Sequence, residues 1–557
     1  MRRGVDAHSH GYMNTHTASR PYRTRLRCYV VSAILMATGV LSVAPNAQAN
    51  DGAPFATRGA VLGSGTATNR SASGATPPLT TLLPAPDGQA FFTPPSVIPG
   101  RPGDIIWARK SPDPIHDALS LLTPLIAIPS IKKRDGTKSV FEVWQVLYHT
   151  TDRLNRSVAV SAMMFFDPAR VAGVPVIVAM HGTVGFGDQC GVFGALQRAG
   201  LANFYNIYRL LGADDYVFIV PDASGLARTT TPTSVIGVDG SRLLLDASRS
   251  ATRFTGASNK TLYYGTSFGG TMALGVGAEA PRYAPDVNVI GVVAAATPGM
   301  TGIGMPMMDT ERNRVSGNSF WYSRTISYML ALEQAYDRPA SANAKYLTDL
   351  GQRIARRMAN VCSGDMAQLV VLRSWQDLFK KDPQPLFAID SGVGSSFSSV
   401  PTYFLVGNND SFVDPLMAYH AYRRVCAAGQ PAWWQEDNGD HGGVTQEALA
   451  TPDKPLRIWI SQVMAGTPPV SDCQDPSALL IGGYPYTGRY LATGLGVNVP
   501  ATHTVTLKAD GLCKVKKNVL TTSLWSGAGT CTIAIIVKPP KGKSVTTNIV
   551  ARVRAHP

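Results

Sequence analysis

Three residues in this chain have the types, and stand in the order, that nucleophilic catalysis uses. They are Ser267 in TLYYGTSFGGTMALG, Asp410 in TYFLVGNNDSFVDP and His441 in EDNGDHGG. A serine hydroxyl attacks a carbonyl only when a base takes its proton, and an acid must hold that base in the right tautomer. Ser267 lies in a Gly-x-Ser-x-Gly, a short motif that means little without its context. Here TLYY reads as a strand, GTSFGG as a tight turn and TMALGVGAEA as a helix. A serine on a strand-to-helix turn is lifted to the carboxyl edge of a sheet, with the helix N-terminus close to the reacting centre. That context favours a nucleophile over an ordinary serine in a glycine-rich turn.

The base should follow the acid in the chain. His420, His441, His503 and His556 come late enough. His420 falls inside the helical stretch PLMAYHAYRRV, where a structural role is expected, and His503 and His556 belong to the C-terminal tail. His441 stands in a polar loop just after the strand PAWWQ, and it is the expected base. Asp410 leaves the end of the preceding strand, three residues past Gly407, and is the expected acid. Asp414 precedes a proline that opens a helix, so capping is its expected role. Asp440 is adjacent to His441 but poorly aimed. The developing oxyanion needs two N–H donors. Phe268, directly after the serine, supplies one, and the loop AMHGTVGFGDQC supplies the other, through Thr183 first or Val184 second. Its glycine spacing does not match a dinucleotide fingerprint and it lacks a P-loop lysine, so no cofactor is expected.

These residues need a parallel sheet to position them. VPVIVAMHG (174–182), DYVFIVPD (215–222), TLYYGT (261–266), VNVIGVVAAATPG (287–299), TYFLVG (402–407) and PAWWQED (431–437) are short apolar runs. Amphipathic stretches separate several of them, the pattern of strands covered by helices on both faces. FEVWQVLYHTT and SVAVSAMMFFD predict an antiparallel pair at one edge. About 100 residues separate Gly299 from TYFLVG, too many for a loop. YMLALEQAYD, YLTDLGQRIARRMANV and MAQLVVLRSWQDLF predict helices there, a cap inserted over the site at about 300–398. MPMMD at its start suits an acyl chain or, equally, the insertion's own core. After Asp475 the chain alternates with a period of two, which predicts a small all-β, sandwich-like module over 476–557.

The ends of the chain carry its net charge. Six arginines, the apolar run YVVSAILMATGVLSVA and Ala47-Gln48-Ala49 form the three parts of a secretory signal peptide over 1–49, with Met13 as an alternative start. Residues 50–90 are rich in Gly, Ala, Thr, Ser and Pro and read as a flexible lead-in to a domain over 91–475. The chain holds 51 basic and 37 acidic side chains, yet residues 50–475 balance. From Ser477 onward ten basic residues face a single acid, Asp510. Such a tail suits either an anionic cell envelope or lipid surface, or merely a solvated lysine-rich sheet face. An exported protein argues against nucleic acid. Beyond the leader stand Cys190, Cys362, Cys426, Cys473, Cys513 and Cys531, an even number without metal-ligand spacing. Disulfides are therefore expected, and no metal. Many connectivities are open. The favoured one pairs Cys513 with Cys531 inside the tail and Cys426 with Cys473 at the end of the core, which leaves Cys190 with Cys362.

The run from FFTPPSVIPGRPGDII through VWQVLYHTTDRLNRSVAVSAMMFFDP, HGTVGFGDQC, VPDASGLA and GTSFGG to GNNDSFVDP and DHGG resembles the secretory lipase family. The resemblance covers about residues 90–475 and excludes the tail. It implies an α/β-hydrolase fold, hydrolysis of acyl esters by Ser267, Asp410 and His441, a helical lid before the acid, and a disulfide from Cys190 near the oxyanion loop. Thr266 stands where the family commonly has an aromatic, Phe268 replaces a frequent Gln, and the acid motif has one extra residue before Pro415. The expected protein is an exported lipase or esterase acting through an acyl-enzyme. The same triad would also serve an acyltransferase, and an inactive hydrolase core would leave envelope binding by the tail as the function.

Overall fold

The structure, a computed structural model, describes residues 80–110, 142–187, 190–191, 215–223, 233, 237–299, 319–387, 398–410, 412–473, 478–481, 484–500, 502–522 and 529–554. The leader, most of the lead-in, MPMMD and His556 lie outside them. The centre is one nine-stranded sheet in the order β1-β2-β3-β5-β4-β6-β7-β8-β9. Its strands are β1 Ile105–Lys110, β2 Glu142–Thr151, β3 Ser157–Phe166, β4 Val176–Met180, β5 Val217–Pro221, β6 Lys260–Thr266, β7 Asn288–Ala295, β8 Thr402–Gly407 and β9 Ala432–Asp437. Neighbours from β5 to β9 run parallel, and β4, β5 and β8 are buried throughout. That is the environment their unbroken apolar runs require. The antiparallel pair β2–β3 lies toward one edge, as expected. β1 adds an outermost strand that the sequence pattern did not reveal, because its register shifts between Ile105 and Trp107 and breaks the alternation.

Side chains alternate between two packed layers along each strand. Tyr263 faces helices Gly237–Thr255, Phe268–Tyr283 and Pro415–Ala427, through Leu243, Ala273 and Tyr422 among others. Tyr264 faces the opposite layer, where Val444–Leu449 and Pro455–Met464 contribute Leu449, Trp459 and Ile460. The insertion before β8 is helical, with Ser319–Ala335, Asp349–Met358 and Ser363–Gln368 packed on one another. MAQLVVLRSWQDLF is not one helix, however. It stops after Gln368, and Ser374 opens a new turn, Trp375–Leu378, with a capping box to Asp377. A serine that can cap competes with helix continuation.

The tail forms a four-stranded sheet, β10-β16-β15-β12, and a three-stranded one, β11-β14-β13. These strands are β10 Leu479–Ile481, β11 Tyr486–Thr487, β12 Thr504–Gly511, β13 Cys513–Lys516, β14 Val519–Thr522, β15 Gly529–Lys538 and β16 Val545–Arg554. A short helix, Gly488–Gly494, interrupts the β pattern. Tail residues Tyr490, Leu491 and Ile533 share one apolar cluster with Leu416 and Met417 and with the cap residues Ile326 and Met329. Three disulfides cross the molecule, Cys190–Cys362, Cys426–Cys473 and Cys513–Cys531, with Cα separations of 5.4, 5.5 and 5.6 Å.

Candidate active site

Ser267 sits on the turn between β6 and the helix that begins at Phe268. Its φ of 57° and ψ of −123° are unusual for a residue with a side chain, and holding them costs roughly 1–3 kcal/mol. The turn is held by the Ser267 N–H donating to Ala295 O at 2.8 Å and by Gly270 N–H donating to Ser267 O at 3.0 Å. The flanking glycines are steric necessities. A Cβ at Gly265 would fall 2.1 Å from Gly269 O, and one at Gly269 would fall 2.3 Å from Met180 O. The motif therefore brings the serine helix against the loop after β4. At Gly182 a Cβ would stand 3.0 Å from Ser267 Cβ, so that loop passes directly beside the serine.

Asp410 follows β8 and His441 follows β9. In a parallel sheet both therefore arrive at the same carboxyl edge as Ser267. Asp410 is 1% exposed and its Oδ1 accepts the N–H groups of Phe412 and Val413, both at 2.8 Å. Its Oδ2 lies 2.7 Å from His441 Nδ1. A carboxylate so placed accepts a hydrogen bond from Nδ1–H, which keeps the proton on that nitrogen and leaves Nε2 as the basic atom. Burial pushes the His441 pKa down, but the charge of Asp410 and its hydrogen bond push it up, with Asp440 adding, and the net shift is upward. Arg324 acts in the opposite direction. Backbone bonds from Asn408 to Asp437 O and from Asn409 to Gly439 O join the two loops.

Asp440 and Asp414 have local partners. Asp440 accepts from Gly442 and Gly443, a turn that shapes the His441 loop. Asp414 caps the helix Pro415–Ala427 by accepting from Leu416 N–H at 3.0 Å. His420 is buried in that helix, and burial with nearby Arg424 brings its pKa down to about 4. His503 lies in the tail, its side chain beside Thr502. Among the described residues nothing accepts from the N–H of Thr183 or of Phe268, and the Thr183 hydroxyl is buried without a partner. The loop carrying Thr183 and Val184 is fastened to the cap. Ser363 N–H donates to Val184 O at 2.8 Å, Phe186 N–H donates to Val361 O at 3.1 Å, and Cys190 is bonded to Cys362.

Three residues near His441 were not singled out by sequence reasoning. Phe412 packs its ring 5.6 Å from the imidazole, Phe320 packs 5.3 Å from Phe412, and Arg324 lies over Phe320 at 4.6 Å. The available signal was one arginine inside the apolar run SFWYSRTISYML. Among the described residues no group of three or more His, Cys, Asp and Glu could hold a metal ion, and no helix is long and apolar enough to cross a membrane.

The fold is shared with lipase A of Candida antarctica in its closed state, at 19% identity and a TM-score of 0.52 over 68% of this chain and 85% of that one. It is also shared with a rice cell wall degrading esterase from Xanthomonas oryzae, at 14% identity and a TM-score of 0.50 over 66% and 100% of the two chains. No protein of curated function matches the sequence. The model of the secretory lipase family matches residues 199–472, the stretch that carries Ser267, Asp410 and His441. Residues 199–472 of this chain thus match the secretory lipase family, and the sheet that holds them has the α/β-hydrolase fold.

Proposed function

We propose that the protein is a secreted serine hydrolase that cleaves carboxylic esters of lipid or other acyl substrates through an acyl-enzyme. The observation that carries this reading is the 2.7 Å contact between Asp410 and His441 at the sheet edge where Ser267 stands on its strained turn. His441 Nε2 takes the Ser267 proton as Oγ attacks the ester carbonyl. The oxyanion of the tetrahedral intermediate is received by the N–H groups of Phe268 and Thr183, or Val184 in place of the latter. His441 then passes the proton to the departing alcohol, and a water molecule activated by the same imidazole releases the acid and restores the serine. No step requires a cofactor.

Under this reading residues 1–49 are the export signal, 50–90 the lead-in, 91–475 the hydrolase with its cap at about 300–398, and 476–557 a basic β domain. The three disulfides fit an oxidising compartment. We assign to the tail a weak attraction for an anionic envelope or lipid surface. Between the helix Pro415–Ala427 and the tail lies a cleft of about 800 Å³ lined by Arg423, Lys543, Val545 and Val550. Val545 and Val550 are 65% and 54% exposed, so cationic and apolar groups face outward together.

The test is turnover of a chromogenic ester series, short to long acyl, by the mature protein and by Ser267→Ala. Activity that is absent in the variant, with covalent labelling of the parent by a serine-directed phosphonate, supports the reading, and the chain-length optimum separates esterase from lipase. Ester turnover that survives Ser267→Ala, or a parent that neither turns over any ester nor reacts with the phosphonate, sinks it. Turnover that appears only when an acceptor alcohol is added would make the protein an acyltransferase.

A further inference from the structure

Among the described residues Arg324 is a cation without a counter-ion. It lies in the middle of the cap helix Ser319–Ala335, among the buried residues Trp321, Tyr322, Ile326 and Tyr328, and it is itself 5% exposed. Its Nη2 donates to Ser363 Oγ, its Nη1 reaches Met366 Sδ at 3.7 Å, and its Cζ lies 4.6 Å from the Phe320 ring centroid. No carboxylate among the described residues pairs with it. Arg242 and Arg249 show the ordinary arrangement. Both are less buried, and they are paired with Glu279 and with Asp246 and Asp286 respectively. A guanidinium carries five N–H donors, and burying its charge unpaired is strongly unfavourable. Two neutral acceptors, one of them a thioether, are poor compensation.

Its position gives the missing partner a place. Ser363, which receives the Arg324 bond, donates its own N–H to Val184 O, and the preceding Cys362 bridges Gly185 in the loop that runs beside Ser267. On the other side the Phe320 ring beneath the guanidinium contacts Phe412, which contacts His441. The cation is therefore tied to both walls of the candidate site, and its charge is felt at the imidazole.

We propose that Arg324 receives an anionic group of the substrate, so that the preferred substrates are esters with a carboxylate or similar anion on one arm. This rests on the ester-hydrolase reading and names its substrate class. A carboxylate would take the donors that the protein leaves open, in a setting where water is excluded and the bond is strong. Neutral acyl esters would enter the same site and leave the guanidinium unpaired.

The test compares kcat/KM for esters matched in shape and differing in charge. On the acyl arm, 4-nitrophenyl hemiglutarate is set against 4-nitrophenyl valerate. On the alcohol arm, 3-carboxyphenyl valerate is set against 3-carbamoylphenyl valerate. The parent protein should prefer the anion on one arm by about tenfold or more, and the arm that responds locates the subsite. Arg324→Met should bring that ratio near one, whereas Arg324→Lys should keep part of it. Because the guanidinium depresses His441, Arg324→Met should also move the acidic limb of the neutral-ester profile upward. Should the variants fail to fold, inhibition of the parent by glutarate, against the uncharged diamide glutaramide as the neutral control, gives the same comparison. Ratios near one on both arms of the parent, or a ratio unchanged in a folded Arg324→Met, overturn the proposal and leave ester hydrolysis standing. No turnover of any of the four esters removes the underlying reading as well.

Discussion

The Tyr490 hydroxyl, from the tail, donates to Asp414 Oδ2 at 2.9 Å inside the protein. Asp414, four residues after Asp410, caps the helix Pro415–Ala427, so the tail braces the loop that presents the candidate acid. Leu416 packs against Gly494 in the same contact, where a Cβ would fall 2.5 Å from the Leu416 side chain. Tyr490→Phe is expected to cost about 1–2 kcal/mol of stability, read as a lower Tm. Deleting residues 476–557 should cost far more, because it uncovers Leu416 and Met417, each worth about 1.5–3 kcal/mol when buried. A truncated protein as stable and soluble as the parent would show that the tail is an independent appendage.

The pH profile follows from the direction of the His441 shift. The base must be neutral to accept the serine proton, so turnover rises as pH climbs through its pKa. The net upward shift places that midpoint above the ordinary histidine value near 6.5. Asp410→Asn removes the larger raising influences and leaves burial and Arg324, both of which lower it, opposed only by the charge of Asp440. The acidic limb of kcat/KM should then move down while kcat falls by about 10³–10⁴. A variant with an unmoved limb would mean that Asp410 does not set the imidazole's proton affinity.

Strain at Ser267 separates stability from activity. Ser267→Ala keeps a Cβ at φ 57°, whereas Ser267→Gly relieves it. Both variants should be inactive, and the glycine form should be more stable than the alanine form by about 1 kcal/mol. Thermal or urea melts of the pair decide this. Equal stabilities would show that the turn is not strained.

The Cys190–Cys362 bond joins the loop beside Ser267 to the cap across 172 residues of sequence. Replacing both cysteines by alanine should lower stability by about 2–4 kcal/mol. It should also reduce kcat more than it raises KM, because the Thr183 and Val184 donors lose an anchor. Ester kinetics on the refolded variant measure this split. A pure stability loss with normal kinetics would confine the bond to a structural role.

Attraction of the tail to an anionic surface should depend on salt. Lys514, Lys516 and Lys517 are exposed on one hairpin. Binding to phosphatidylglycerol vesicles should weaken between low and physiological ionic strength, and the triple change of these lysines to Glu should abolish it. Each lysine near such a surface is worth about 1 kcal/mol. Equal binding to neutral vesicles would refute an electrostatic tail.

The sequence by itself determined the parallel sheet and the antiparallel pair toward its edge. Strands buried on both faces must be unbroken apolar runs, and a turn without room for a Cβ must be glycine, as Gly265 and Gly269 are. Ser267, Asp410 and His441 could be chosen as candidates because each follows such a strand, and in a parallel sheet those ends share one edge. Only the tertiary structure decided what surrounds them. The outer strand β1, the break at Ser374 and the helix Gly488–Gly494 depend on neighbours distant in sequence. The tail was legible as a β module but not as a brace, because the face of Leu416 and Met417 gains its partners from residues more than sixty positions away. Arg324 is the sharpest case. Whether an arginine on a helix is solvated or sealed beside a candidate site depends on what closes around it, and no local pattern of residues encodes that enclosure.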